Sequence, residues 1–250
     1  MVTLLRKIRR KLMTDNRFSK YVLYAIGEIV LVVIGILIAL QINDWNDQKK
    51  KADLEIKILK EIDTNLNFDL DEIREDISLM DSIELAATDI IAYIKNNDLP
   101  SDGFNYNVAK MKVAPHFNPN KSGYELLTSK GVEIVVNDSL RMAISDLYES
   151  YYPYYAQYEK ERITFKSNII QPYFLNYFSW LNDLDKYFLT TFRCTNEDYV
   201  QLKNDGSFEK VIRAADFENK FVRLRAETME EKILALKKQI FQELNKQTDK

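Results

Sequence analysis

Histidine, cysteine, glycine and proline are all scarce in this sequence. It contains one histidine and one cysteine, and only 6 of its 250 residues are glycine and 5 are proline. A single cysteine excludes a disulfide bond within the chain, and one histidine without cysteine partners does not form a typical zinc site. Because few residues break secondary structure, the composition favours long helices over a turn-rich β-sandwich.

Motifs for catalysis are also lacking. The sequence has no glycine-rich phosphate loop and no G-x-S-x-G, H-E-x-x-H or C-x-x-C motif. His116 is interpreted as a loop residue because prolines lie at 115 and 119, and Cys194 has no histidine near it in the sequence. We therefore predict a chain that is not an enzyme, with no catalytic residue, metal ligand or cofactor. A hydrolytic enzyme on this scaffold is the weakest alternative.

An acidic run in the first half of the chain is the one group of possible cation ligands. It comprises Asp69, Asp71, Glu72, Glu75, Asp76 and Asp81. The run lacks the glycine and the spacing of an EF-hand, so we interpret it as the solvated face of an amphipathic helix rather than a calcium site.

Positive and negative charge lie in different parts of the chain. Residues 1–20 carry seven basic residues and one acidic residue, a net charge of +6, whereas residues 43–250 carry 28 basic and 36 acidic residues, a net charge of -8. Nucleic-acid binding requires a basic surface. The acidic larger part is therefore not expected to bind nucleic acid.

Residues 21–42 form a long apolar run in which Glu28 and Gln41 are the only strongly polar residues. A helix of this length extends about 33 Å, enough for a hydrocarbon core of about 30 Å. The run is too long for a cleaved signal peptide and no A-x-A-like site follows it, so we predict a transmembrane signal anchor. Tyr21, Tyr24 and Trp45 are its predicted interface anchors. A buried helix of a soluble protein is the alternative.

The basic residues near the start of the chain predict the orientation of this span. Positive charge is retained in the cytoplasm, so the N-terminus is expected to be cytoplasmic and the large C-terminal part to lie on the outer side. Residues 1–20 also show helical apolar spacing. They are predicted either to lie on the anionic inner leaflet as an amphipathic segment or to act only as a basic retention signal.

Glu28 is an ionisable residue inside the predicted span. Glu28, Gly35 and Ala39 are separated by seven and four residues and so share one helix face. Small residues let another helix approach closely, and intramembrane carboxylates usually face protein or water. The pattern favours a contact with another membrane protein or a second copy of this chain. Snorkelling to the interface and a proton-relay role remain open alternatives.

The remaining sequence predicts an all-α domain, residues 43–250, following the segments 1–20 and 21–42. Apolar residues recur every three or four positions in two long stretches, which predicts one helix from about 48 to 97, continuous with the span, and an antiparallel C-terminal helix from about 217 onwards. Residues 103–121 are predicted to be an irregular connection, and residues 173–206 short helices.

Two shorter helices are predicted between the long ones. Ser122 is a candidate N-cap of the first and Gly131 its stop, and Asn137 or Asp138 is a candidate N-cap of the second. Pro153 is predicted to kink or interrupt the second helix, and Pro172 to start or bend another segment.

Two stretches of the sequence resemble a known family. "RFSKYVLYAIGEIVLVVIGILIALQINDWND" and "SGYELLTSKGVEIVVNDSLRMAISDLY" are similar to the two recurring blocks of an uncharacterised family of single-span membrane proteins common in Bacteroidota. The resemblance implies an inner-membrane anchor and a helical periplasmic domain. It supplies neither a function nor catalytic residues.

Tyrosines are concentrated in the second half of the chain. Candidate residues for a partner or ligand surface are Tyr151, Tyr154, Tyr155, Tyr158 and Trp180. Such clusters suit interfaces and ligand pockets, and they also suit a helical core. The leading interpretation is a membrane protein whose outer domain binds a partner or ligand. A sensory module acting through a membrane partner, and a subunit of a proton-coupled complex using Glu28, are the alternatives.

Overall fold

The computed structural model describes residues 17–181 and 191–248, and within them the fold is all-α, as predicted. The long helices are α1 (Arg17–Asn96), α5 (Tyr152–Phe165) and α8 (Phe208–Thr248); the shorter ones are α2 (Asp102–Lys112), α3 (Ser122–Lys130), α4 (Asp138–Asp146), α6 (Gln171–Phe174) and α7 (Asn196–Asn204). Strands β1 (Ser179–Leu181) and β2 (Thr191–Arg193) form an antiparallel pair in which Trp180 is opposite Phe192.

The chain divides into two compact units between Glu55 and Ile56. In the first unit, every residue of α1 from Ile26 to Asp53 is exposed. Between Ile26 and Ile42 apolar residues cover all faces of the helix, which is long and apolar enough to cross a membrane. The predicted continuation of the apolar helix into the amphipathic one is confirmed, because α1 runs without a break to Asn96.

The second unit is built around antiparallel packing of α1 and α8. Lys237 pairs with Asp63 at 2.7 Å, and Arg74 pairs with Glu230 at 2.6 Å, so sequence numbers rise along one helix as they fall along the other. The apolar stripes that predicted these helices supply core residues such as Ile62 and Ile233, both with no exposed surface.

The chain from α4 to α6 is one helical run with two wide turns. Residues Leu147–Tyr151 and Lys166–Ile170 form π-helical turns, and each is followed by an α-helix with proline in its first turn. As predicted, Pro153 interrupts the regular α-helix and Pro172 lies at the start of another α-helical segment, because proline lacks the N–H that a helix interior needs.

The helix ends were predicted in part. Asn137 caps α4, since its Oδ1 accepts hydrogen bonds from the backbone N–H groups of Ser139 and Leu140 at 3.1 and 3.3 Å. Gly131 ends α3 with a φ of 98°, a conformation that glycine adopts without strain. The predicted capping by Ser122 is wrong. Ser122 is already the first residue of α3, and its hydroxyl instead donates to Asn65 Oδ1 at 3.2 Å.

Two predictions about the irregular regions are also wrong. The stretch predicted to be an irregular connection contains α2, whose N-cap Ser101 accepts a hydrogen bond from Phe104 N at 3.2 Å. The region predicted to hold only short helices contains the β1–β2 pair before α7. The pairing is not evident in the sequence because each strand has only three residues.

Candidate functional site

The residues predicted to make a membrane contact all lie on the exposed part of α1. Glu28, Gly35 and Ala39 are exposed, and a Cβ atom added to Gly35 would meet nothing within 4 Å. Trp45 is 65% exposed, with Lys49 Nζ 5.8 Å from its ring centre. The side chains of Tyr21 and Tyr24 lie outside the described residues.

Residues 113–121, here called the strap, link α2 to α3 with no regular secondary structure and are held by side chains. Glu159 Oε1 on α5 accepts a hydrogen bond from Phe117 N at 3.0 Å. Arg162 donates to the carbonyl of Pro115, and Lys166 donates to the carbonyl of Val113. Alternate residues of the strap are therefore bound through their main-chain atoms by side chains that follow one another along the α5 run.

Helix α1 holds the other half of the strap in the same way. Asp69 Oδ1 accepts from the backbone and side-chain N–H groups of Asn120 at 2.8 and 2.9 Å. Glu72 Oε1 accepts from Asn118 N at 3.3 Å. Asn65, Asp69 and Glu72 are four and three residues apart, so they lie on one face of α1. We call Asn65, Asp69, Glu72, Glu159, Arg162 and Lys166 the clamp residues.

The clamp residues on the α5 side are charged groups in the interior. Glu159, Arg162 and Lys166 are each less than 5% exposed. Burial raises the pKa of Glu159 to about 7, although the Phe117 N–H and Arg162 oppose the rise. Burial also lowers the pKa of Lys166 to about 7, and the nearby Arg162 lowers it further. Both groups change charge near neutral pH because water is excluded from them.

Carboxylates from two helices come together beneath the strap near His116. Burial raises the pKa of Asp76 to about 6 and Glu72 raises it further, whereas Arg162 and His116 lower it. Such convergence with the histidine is what a catalytic site requires. However, Glu159 and Arg162 bond to the strap and are shielded by it. In this arrangement Glu159 and Arg162 hold the main chain of the strap, while Asp76 is half-buried and His116 is exposed.

The sequence-based interpretation of the acidic run as a solvated helix face is wrong at Asp69. Asp69 has no exposed surface, and its second oxygen accepts a hydrogen bond from the Tyr152 hydroxyl at 2.6 Å. The backbone of Asn120 and the Tyr152 hydroxyl satisfy the carboxylate, which permits its burial. No group of three or more His, Cys, Asp or Glu side chains suited to a metal ion is found in the described part of the chain.

A second candidate site lies where the tyrosine-rich helix meets α8. We define the aromatic seam as Tyr151, Tyr154 and Tyr158 together with Phe217, Phe221, Arg225 and Lys232. Tyr158 packs edge-on against Phe221 with ring centres 5.3 Å apart, and Phe217 stacks on Phe221 at 6.4 Å. Tyr154 is 49% exposed and Phe217 is 65% exposed, so the seam presents aromatic surface to its surroundings.

Two of the five residues predicted for a partner surface lie elsewhere. Tyr155 is 1% exposed and packs on Phe117 of the strap, so it belongs to the core. Trp180 lies against Phe192 of β2 with Lys112 Nζ 3.7 Å from its ring centre, so it forms no pocket with Tyr154 and Tyr158.

Sequence reasoning missed the half of the seam that α8 supplies. The apolar periodicity of the C-terminal helix predicts that Phe217 and Phe221 both belong to its buried stripe, but Phe217 is exposed. The signal that was present is spacing, because Arg225 follows Phe221 by four residues on the same helix face. The contact of this face with the tyrosines depends on tertiary packing, which the spacing does not show.

Comparison with known proteins places the chain in one group. The family model described as a family of unknown function, DUF6090, matches residues 28–185, which include part of the apolar helix, the strap and the tyrosine-rich helix. No curated protein and no solved structure matches the chain. Because the match covers more than half of its length, the protein belongs to the DUF6090 family of unknown function.

Proposed function

We propose that this protein is a non-enzymatic, single-pass inner-membrane protein whose helical domain binds a protein partner in the periplasm. The observation that carries the proposal is the apolar part of α1, where residues from Ile26 to Ile42 are exposed on every face. Exposed apolar surface all around a helix is stable in lipid and unfavourable in water.

The charge distribution supports the orientation of the proposed span. Seven basic residues precede it within residues 1–20, and the chain after residue 42 is acidic. Lys and Arg are enriched on the cytoplasmic side of membrane helices. The N-terminus is therefore cytoplasmic in our proposal and the C-terminal domain periplasmic.

The aromatic seam is the proposed contact with the partner. Tyrosine, tryptophan and arginine are the residue types that dominate binding energy at protein interfaces. The seam combines three tyrosines with Arg225 and leaves Tyr154 and Phe217 about half exposed or more. Within the bilayer, Glu28, Gly35 and Ala39 provide a second contact, with another membrane protein or a second copy of the chain.

The clamp supports a binding role over a catalytic one. Its charged residues Glu159, Arg162 and Lys166 bond to the strap, so they serve the fold.

Membrane insertion is tested by alkaline extraction together with a C-terminal reporter enzyme that is active only in the periplasm. We expect the chain to stay in the membrane pellet and the reporter to be active. Release of the chain by alkali, or an inactive reporter on a chain that remains in the pellet, contradicts the proposal.

Partner binding is tested by crosslinking in native membranes, followed by purification of the wild type, Glu28→Leu and Phe217→Asp variants. A specific protein is expected to copurify with the wild type and to be lost from Phe217→Asp. Phe68→Asp is the matched control, since Phe68 is an equally exposed phenylalanine outside the seam, at 59%. Loss with Glu28→Leu assigns the contact to the membrane helix instead. If all four forms recover the same proteins, neither surface binds a partner.

A further inference from the structure

The basic side chains on the two sides of α8 have different kinds of partner. On the side that faces α1, basic residues are paired with carboxylates: Lys237 with Asp63 at 2.7 Å and Arg223 with Asp81 at 3.2 Å. These pairs neutralise their own charge within the molecule. The α1-facing side therefore leaves little charge for an external partner to recognise.

On the side that faces the tyrosines, the cations lie on aromatic rings instead. Arg225 lies over Tyr154, Tyr158 and Phe221 at 5.0 to 5.7 Å from the ring centres. Lys232 lies over Tyr151 at 4.7 Å. Among the described residues, neither cation pairs with a carboxylate, and Arg225 Nε is shielded from solvent with no hydrogen-bond partner.

A ring stacked on a guanidinium covers its face and leaves its edge available. The N–H groups of arginine point along that edge and match both oxygens of a carboxylate. Arg225 is held in this way by three rings while its charge remains uncompensated. It is therefore prepared to bind a carboxylate that the described chain does not supply.

The spacing of the two cations indicates the form of the partner. Arg225 and Lys232 are seven residues apart on α8, which places them on one face and about 10 Å apart at a rise of about 1.5 Å per residue. Two carboxylates seven residues apart on another helix have the same separation. Apolar side chains of that helix would rest on Tyr154 between the two cations and on Phe221 beyond Arg225.

We propose that the aromatic seam binds an amphipathic helix of a partner protein, with two carboxylates two turns apart that pair with Arg225 and Lys232. The inference rests on the proposed function and adds the chemistry of the partner. Binding of an amphipathic helix in a groove between two helices is a common mode of recognition.

An anionic membrane surface fits the seam less well than a protein. Glu161 follows Tyr158 by three residues on α5 and so lies on the same face. The hydrogen bond with Tyr154 is the main cause that raises the pKa of the Tyr158 hydroxyl, and the charge of Glu161 adds a small rise. A carboxylate in the contact repels anionic lipid headgroups, which bind best to uninterrupted clusters of basic residues. A helix that places single carboxylates opposite Arg225 and Lys232 and apolar side chains elsewhere avoids most of this repulsion.

The test uses full-length protein in nanodiscs of zwitterionic lipid and two synthetic helices of about 18 residues, long enough to form several helical turns. One carries glutamate at two positions seven apart on its apolar face, and the matched peptide carries glutamine there. We expect the glutamate peptide to bind at least about tenfold more tightly, because charge-assisted hydrogen bonds are stronger. The double variant Arg225→Gln, Lys232→Gln should lose this preference. Lys238→Gln, at an exposed lysine outside the seam, should keep it.

Each outcome bears on one of the two proposals. Equal affinity for both peptides, or no binding of either, overturns carboxylate recognition and leaves partner capture by the seam to be decided by the Phe217→Asp crosslinking comparison. Binding to phosphatidylglycerol vesicles that is lost in the double variant, without preference for the glutamate peptide, assigns the cations to lipid and also overturns the inference.

Discussion

Gly123 is the second residue of α3 and lies where that helix meets α1. A Cβ atom on it would lie 2.7 Å from the backbone nitrogen of Ile62, closer than side chains are found in real structures. Its own N–H donates to Asn65 Oδ1 at 2.9 Å. Glycine is needed here for close approach of two backbones, which a sequence alone does not distinguish from a flexible position.

Substitution of Gly123 by alanine should destabilise the protein by about 1–3 kcal/mol, because overpacking forces the two helices apart. Thermal unfolding followed by circular dichroism in detergent measures the effect. Gly103→Ala is the control, since the nearest atom to its added Cβ is Ser101 Oγ at 3.9 Å. Equal stability of the two variants would contradict the predicted clash.

The stability of the protein should also depend on pH through Glu159. The pKa of Glu159 is raised from 4.5 to about 7, so the folded protein holds this proton more tightly than the unfolded chain. The resulting stability is fully present below pH 4.5 and is lost as pH rises through 7. Glu159→Gln should therefore flatten the fall in unfolding free energy between pH 4.5 and 7, by at most about 3 kcal/mol.

Urea unfolding at a series of pH values measures this slope. Asp76, with its pKa raised to about 6, contributes in the same direction, so the Asp76→Asn variant serves as the comparison. Lys166, with its pKa lowered to about 7, adds a loss of stability only as pH falls from 10.5 to 7. A slope that is unchanged in Glu159→Gln would show that this carboxyl titrates normally.

Buried charged residues are the feature that sequence reasoning missed most. Asp69 and Arg162 sit among exposed-looking polar positions in amphipathic helices, and both prove to have no exposed surface. An apolar stripe identifies the side of a helix that meets the core, but whether a neighbouring charge meets water depends on what packs above it. Here the strap packs above both, and its course depends on contacts distant in sequence.

At the level of helices and strands, long periodic segments were predictable and short ones were not. The stripes in α1 and α8 and the interruptions at Pro153 and Pro172 follow from local chemistry. Helix α2 also had a local signal in its Ser101 cap and in apolar residues at 104, 108 and 111, but its short length concealed it. The β1–β2 pair had no local signal in the sequence, since it forms only when two segments separated in the chain pair with each other.

Asn137 offers a test at the level of elements. Besides capping α4, its side-chain amide donates to Glu243 Oε2 on α8 at 2.7 Å. Asn137→Ala should lower stability by about 1–2 kcal/mol through loss of the cap. Asn137→Ser should recover the cap but not the bond to Glu243, so its melting temperature should fall between those of the wild type and Asn137→Ala. If serine and alanine are equally destabilising, the cap does not contribute to stability.

In the second unit as a whole, α1 and α8 run antiparallel over most of their paired length. The sequence does not show which charged residues of the two helices pair with each other. It does show the apolar stripe on each helix. Their register is defined by pairs such as Lys237 with Asp63 and Lys220 with Glu84.

Crosslinking tests this register. The double variant Asp63→Cys, Lys237→Cys should react rapidly with a short bifunctional thiol reagent, because the wild-type side chains meet at 2.7 Å. Asp63→Cys with Arg213→Cys should not react, since Arg213 lies on the part of α8 near Glu209 and Lys95. Cys194 is buried and should not interfere. Mass spectrometry of tryptic fragments identifies the linked pair.

The strap has a consequence for how this protein tolerates mutation. Its anchoring bonds mostly end on main-chain atoms of the strap, which every amino acid except proline at an N–H position provides. Exchanges at exposed strap positions such as His116 and Asn118 should therefore be nearly neutral in a saturation-mutagenesis screen. Exchanges at Glu159 or Asp69, which look like ordinary surface charges in the sequence, should be among the least tolerated.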